Sequence, residues 1–152
     1  AMALGVLKAA TDELIEICLK KITPGKSPDL RDRAAVQATI AKSKTLLASR
    51  RAQLHNSVEI LWNEAQQQNT FTDIQLADVW AAACEAAREA RTMVSEIYAV
   101  AGTVSLYKKH RIERAHRDIH AILQHGIVQP HWMEQAGMAY VGLTPNAAMF
   151  RV

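Results

Sequence analysis

Residues 29–69 read DLRDRAAVQATIAKSKTLLASRRAQLHNSVEILWNEAQQQN, and the order of apolar residues in this stretch decides the fold. Ile40, Leu47, Leu54 and Leu61 stand seven residues apart, with Val36 and Val58 beside the same stripe and Arg, Lys and Gln between. A seven-residue apolar step lays one narrow seam along an α-helix and does not fit the two-residue alternation of a strand. A straight helix over the whole stretch would be about 60 Å long at 1.5 Å per residue. It would overhang a domain of 152 residues, so its end is expected to meet a partner surface, either another subunit or a further domain.

Working outward from this helix, the same logic extends to both ends of the chain. Over residues 4–22, Leu7, Leu14, Cys18 and Ile22, flanked by Ile15 and Leu19, recur at helical steps. Two prolines and a glycine in Thr23-Pro24-Gly25-Lys26-Ser27-Pro28 then forbid continuation. On the other side, Thr72-Asp73-Ile74-Gln75 has the form of a capping box that starts a third helix. Its inner face is predicted to be Ala77, Trp80, Cys84, Ala87, Val94, Tyr98 and Ala101, with Gly102 ending or bending it. A fourth helix is expected over 111–127 on Ile112, Ile119, Ile122 and Leu123, stopped or kinked by Pro130, and a short last one near 132–140 ends around Gly142. The expectation is an all-α fold: an up-and-down four-helix bundle with a short extra C-terminal helix, one domain over 3–152. Ala1-Met2 reads as an expression scar before a sequence already in helical register, which suggests a piece cut from a longer protein.

Composition supports this reading. Apolar residues make up 49% and charged residues 22% of the chain, an ordinary globular balance, and four prolines and six glycines leave long segments without a breaker. A net charge of +3 with interspersed signs describes a solvated helical surface, not a nucleic-acid footprint. Cys18 and Cys84 occupy apolar helical positions without CxxC spacing and read as reduced core residues of a cytoplasmic protein. No apolar run approaches the roughly 20 residues of a membrane span. Phosphate-loop, dinucleotide and GxSxG motifs are absent from the sequence.

Chemistry is concentrated in the last third, where His110, His116, His120, His125 and His131 lie close together. His116 and His120, four apart, stack on one helical face, but no third ligand completes a set and no metal site is expected. Asp118 and His125 are seven apart, which on a continuous helix puts them on one face. The competing reading pairs Asp118 with Arg114 or Arg117 and leaves the histidine satisfied within the bundle. Lys108-Lys109-His110-Arg111, with Arg114 and Arg117, is a basic run able to receive phosphates, although such a run is usually a solvated helix start. In Ala101-Gly102-Thr103-Val104-Ser105 a glycine admits close backbone approach and two hydroxyls offer donors. Trp80, Trp132 and Tyr140 read as core or interface anchors.

Taken in order, Ala101-Gly102, Ser105, Arg114-Ala115-His116-Arg117-Asp118, His125, Gly137 and Gly142 resemble the C-terminal helical domain of the acyl-CoA dehydrogenase superfamily. The resemblance spans residues 4–145. It implies a flavoprotein subunit with two further domains, FAD or FMN as cofactor, and a homo-oligomer, dimer or tetramer, in which this bundle supplies the subunit interface and one wall of the flavin site. It places Gly102, Thr103 and Ser105 against cofactor phosphates, and Arg117 and Asp118 at the start of the segment leading to the active site. Dehydrogenases of this family carry a glutamate base in that segment, yet this sequence has no acidic residue between Asp118 and Glu134. Arg-Asp followed by His125 resembles instead the reduced-flavin-dependent two-component monooxygenases. These act on aromatic or heterocyclic small molecules and receive flavin from a separate reductase. His125 would then be the catalytic residue, suited to hydrogen bonding or proton movement near neutral pH. Two alternatives stand beside this: a dehydrogenase whose base lies elsewhere, tested by acyl-CoA turnover, and a non-catalytic helical oligomerisation module, tested by what precedes Ala3 in the gene. No membrane or nucleic-acid partner is expected.

Overall fold

The heptad pattern becomes helix α2 (Ala34–Gln66), and the capping box opens α3 (Asp73–Ala101). With α1 (Met2–Lys20), α4 (Arg111–Ile122) and α5 (Pro130–Tyr140) they make an all-helical fold, and no strand occurs among the described residues. The computed structural model describes residues 1–20 and 29–146. Ile22 and the expected break at 23–28 therefore lie outside the described residues.

Thr72 starts α3 as its sequence requires. Its Oγ1 accepts from the Gln75 backbone N–H at 3.2 Å, and Gln75 Oε1 accepts from the Thr72 N–H at 2.9 Å. Two orphan donors are satisfied reciprocally. Thr72→Ala is expected to cost about 1 kcal/mol, read as a lower urea midpoint with an unchanged slope.

α2 and α3 form one long antiparallel hairpin. Lys42–Glu96, Arg50–Glu89 and Glu64–Gln75 contacts recur along it in constant register, and the Arg50 guanidinium forks onto both carboxylate oxygens of Glu89. That fork holds the Glu89 carboxyl below its usual range. α1 packs on α2, α3 and α4, and α4 also lies on α3, so four helices enclose the main core. Leu7, Leu14, Val94, Ile97, Ile112 and Ile119 fill that core with almost no exposure. α5 packs on the other half of α3 around a second, smaller core in which Trp80 and Trp132 stack with centroids 4.5 Å apart. The bundle with an added C-terminal helix is as the sequence predicts.

Two details differ. α2 is 33 residues, about 50 Å long. It is shorter than expected because Leu30–Asp32 forms a separate 3₁₀ turn and Gln68, at φ 58°, reverses the chain. Its inner line is also displaced from the leucine stripe. Val36, Thr39, Ser43 and Ser57 are the buried positions, while Ile40, Leu47, Leu54 and Leu61 are half-buried. Small hydroxyl residues let the neighbouring helices approach closely, and Thr11 of α1 shares a buried hydrogen bond with Ser43. Continued antiparallel from that contact, α1 runs out opposite about residue 52 of α2. Beyond that point α2 stays packed on α3, and Leu61 reaches the second core, but Val58, Ile60 and Trp62 are 48%, 40% and 64% exposed, so the helix does not overhang the fold and instead leaves an apolar face uncovered. Pro130 also acts differently from expectation. It occupies the first turn of α5, where its missing N–H costs nothing, and α4 has already ended at Ile122.

Candidate functional site

The α3–α4 connection is built around Gly102. Its backbone adopts φ 63° and ψ −140°, a positive-φ conformation that side chains disfavour, and a Cβ there would meet no atom within 4 Å. The residue is needed for its conformation, and its backbone is open to approach. Thr103 is exposed, whereas Ser105 is 1% exposed and its hydroxyl donates to the Gly102 carbonyl at 2.6 Å. Gly102 and Thr103 thus present this 3₁₀ turn (Gly102–Leu106) to the surface, and Ser105 braces it from within.

The basic run that follows does not leave an open helix start. Glu13 of α1 reaches across, accepting from the Ile112 N–H at 2.7 Å through one oxygen and lying 3.0 Å from His110 Nδ1 through the other. A carboxylate on the first turn of α4 satisfies an orphan donor and complements the helix dipole. The protein's own anion therefore occupies the place where a phosphate would bind the helix terminus. Sequence reasoning passed over Glu13. The only available signal was an acidic residue immediately before buried Leu14, and nothing local connects it to a position 97 residues away.

Arg117 and Asp118 sit mid-helix and do not pair with each other. Arg117 donates to Glu113 at 2.7 and 3.1 Å, and Asp118 accepts from Arg114 at 3.3 Å. His116 and His120 do share a face, with ring centroids 5.0 Å apart, and Tyr98 lies 4.3 Å from His116. Among the described residues no third metal-ligating group joins them. Burial first, then the neighbouring His120, lowers the His116 pKa, against an opposite pull from Glu113. The unfolded chain then binds more protons than the folded one as pH falls through the ordinary histidine value of about 6.5. This contribution to stability is full above that value and is lost on acidification. His116→Gln should flatten that part of the stability profile, measured by denaturant titration from neutral pH downward.

His125 is not on the Asp118 face of a continuous helix, as its spacing suggested. α4 ends three residues earlier, and His125 caps a 3₁₀ turn (Gly126–Val128) on the α4–α5 connection. The ring is exposed, and its Nδ1 accepts from the Ile127 N–H at 3.2 Å. With Nδ1 accepting, the neutral imidazole carries its proton on Nε2, leaving one outward donor. The connection is held firmly elsewhere. Trp132 Nε1–H donates to the Gly126 carbonyl at 2.7 Å, Gln129 Nε2 donates to the Leu123 carbonyl at 3.0 Å, and the Cys84 thiol lies 3.7 Å from the Ile127 carbonyl. Cys18 and Cys84 are both free and buried, and burial pushes both thiols up. Gly102 and His125 stand at opposite ends of α4, a helix of 12 residues and about 18 Å.

A family profile described as "Acyl-CoA dehydrogenase, C-terminal domain" matches residues 1–130. The chain belongs to this family. Among curated relatives of this acyl-CoA dehydrogenase C-terminal domain, an indole-3-acetate monooxygenase of Acinetobacter baumannii is 24% identical over 149 residues, and one of Pseudomonas putida is 25% identical over 144. Each alignment covers 95% of this chain and 37% of the relative, so the chain spans little more than a third of their length. Solved structures share the fold. The 3-HSA hydroxylase from Rhodococcus sp. RHA1 matches with a TM-score of 0.87 at 18% identity, covering 97% of this chain and 38% of that one. XiaF from Streptomyces sp., solved in complex with FADH2 and glycerol, matches at 0.83 and 19% identity, over 95% and 37% of the two chains. No helix among the described residues is long and apolar enough to cross a membrane.

Proposed function

We propose that this chain is the C-terminal helical domain of a reduced-flavin-dependent monooxygenase acting on an aromatic or heterocyclic small molecule. The observation that carries the reading is the α4–α5 connection. It offers an exposed imidazole with an outward Nε2–H donor, and residues 119–133 contain no carboxylate to abstract an α-proton. That disfavours the dehydrogenase alternative. The names of the curated relatives and of the neighbour bound to FADH2 point the same way, and the latter favours FAD over FMN.

The described residues fit a flavin at two places. Gly102 and Thr103 provide an open backbone and a hydroxyl for cofactor phosphates, with Ser105 holding their turn in shape. Arg117 and Asp118 are flanking candidates on α4, each steadied by a partner one turn away. When bound and reduced, the flavin supplies the oxygen-activating chemistry. His125 donates its Nε2–H toward the ligand and holds or moves a proton there. The exposed Val58, Ile60 and Trp62 of α2 supply an apolar face for a homo-oligomer, and a separate reductase provides the reduced cofactor.

The test is flavin retention by the full-length enzyme. After gel filtration it should be colourless, yet capture reduced FAD anaerobically and turn over an aromatic substrate once oxygen is admitted. Oxidised flavin that stays on the protein and is bleached by an acyl-CoA would establish the dehydrogenase instead.

A further inference from the structure

Beside the His125 turn lies a groove of about 420 Å³, within the roughly 300–1,000 Å³ range of small-molecule sites. One wall is a single face of α3, where Cys84, Arg88 and Arg91 recur at four- and three-residue steps. The other is the α4–α5 connection and the start of α5, contributing Leu123, Val128, Pro130 and Met133 together with the amides of Gln124 and Gln129. Cys84 is fully buried, and Leu123, Val128 and Met133 are partly covered, forming an apolar floor. Arg88 and Arg91 stand exposed at one side. Arg88 is 3.7 Å from Glu85, a loose contact, and Arg91 has no ion pair among the described residues. One guanidinium of the pair thus lacks a counter-charge among the described residues, beside a trough of ligand size with an apolar patch on its floor.

We propose that this groove binds the carboxylate of a planar aromatic acid, with Arg91 and Arg88 holding the anion and Leu123, Val128 and Met133 packing the ring. A guanidinium presents a planar fork of donors that matches a carboxylate in two parallel hydrogen bonds, which a lysine cannot do. The apolar floor rewards the aromatic body and gives an inorganic anion nothing, so the site selects the combination. His125 belongs to the same connection that forms the second wall and follows the lining residue Gln124 directly, although it does not itself line the groove. That this acid is the enzyme's substrate rests on the monooxygenase reading. The affinity of the groove for it does not.

Amide-resolved NMR titration of the 152-residue chain with 1-naphthylacetate, and in parallel with its neutral amide, tests the proposal without flavin. The acid should bind at least about tenfold more tightly than the amide, a difference of about 1.4 kcal/mol. Its shifts should centre on residues 84–91 and 123–133. Arg88→Gln/Arg91→Gln should bring the acid down to the affinity of the amide while leaving the amide unchanged, and Arg91→Lys should recover only part of the loss. Both arginines are exposed, so these variants keep the fold. Equal affinity for acid and amide, shifts centred elsewhere, indifference to both substitutions, or no binding up to about 10 mM would overturn it. A chain that binds the acid here while the full-length enzyme captures no reduced flavin would sink the monooxygenase reading and leave the groove intact.

Discussion

Alanine at His125 is expected to cut aromatic oxygenation by the full-length enzyme about 10²- to 10⁴-fold, the usual contribution of a positioned proton-transfer group. The expectation rests on the proposed function and on the geometry of the ring. The side chain is exposed and makes one hydrogen bond among the described residues, from the Ile127 N–H to Nδ1, so its removal should leave circular dichroism and thermal unfolding nearly unchanged. Asparagine separates the structural part from the chemical part. Its side-chain oxygen accepts the same N–H two residues on, as Asx turns do, but it supplies no titrating group near neutral pH. His125→Asn should therefore keep the turn and lose the activity. Product formed per reduced flavin consumed is the quantity to measure, and oxygenation at the wild-type level in both variants would remove His125 from the chemistry.

Leu14→Ala should be strongly destabilising, at about 3 kcal/mol within the 2–5 range for buried leucines. Leu14 has no exposed surface and lies in the main core, to which Val36 of α2, Ile97 of α3 and Ile112 and Ile119 of α4 also contribute. At 2–4 °C per kcal/mol for a domain of this size, the melting temperature should fall by about 10 °C. Leu19, one turn and one residue further along the same helix, is 69% exposed, and the identical substitution there should stay within about 0.5 kcal/mol. Calorimetry of the two variants under one set of conditions checks both statements. Comparable losses would mean that a surface beyond this bundle covers Leu19.

The local signals were reliable where one stretch of chain contains both partners. Thr72 and Gln75 are three residues apart, so the capping box was legible before any fold existed, and the conformation at Gly102 follows from the one residue type that adopts it freely. The inner face of α3 was also legible, because this helix is surrounded along much of its length and its small and apolar residues have one role. For α2 the pattern announced a helix correctly and its buried line only approximately. A leucine stripe says which side faces neighbours, while the angle of approach depends on small residues such as Ser43 meeting Thr11 from another helix. Proline offered a similar ambiguity. Pro130 forbids a helix through it and permits one starting at it, and the sequence does not distinguish the two.

Among the site residues, chain order placed Gly102, Thr103 and Ser105 on one turn, but only packing decided that the first two face outward and the third inward. The same holds for His125. Its spacing from Asp118 suggested a shared helical face, and the early end of α4 put it on a connection where a backbone N–H selects its tautomer. Glu13, which caps a helix almost a hundred residues later, and the groove between Arg91 and Met133 belong wholly to the tertiary structure. By itself the sequence determined the helical class, the number and order of the helices, and the family, since these depend on periodicity, caps and breakers written within single segments. The tertiary structure decided which donors are spent internally and which remain for a ligand, because hydrogen bonds and burial between distant segments depend on how the helices pack together.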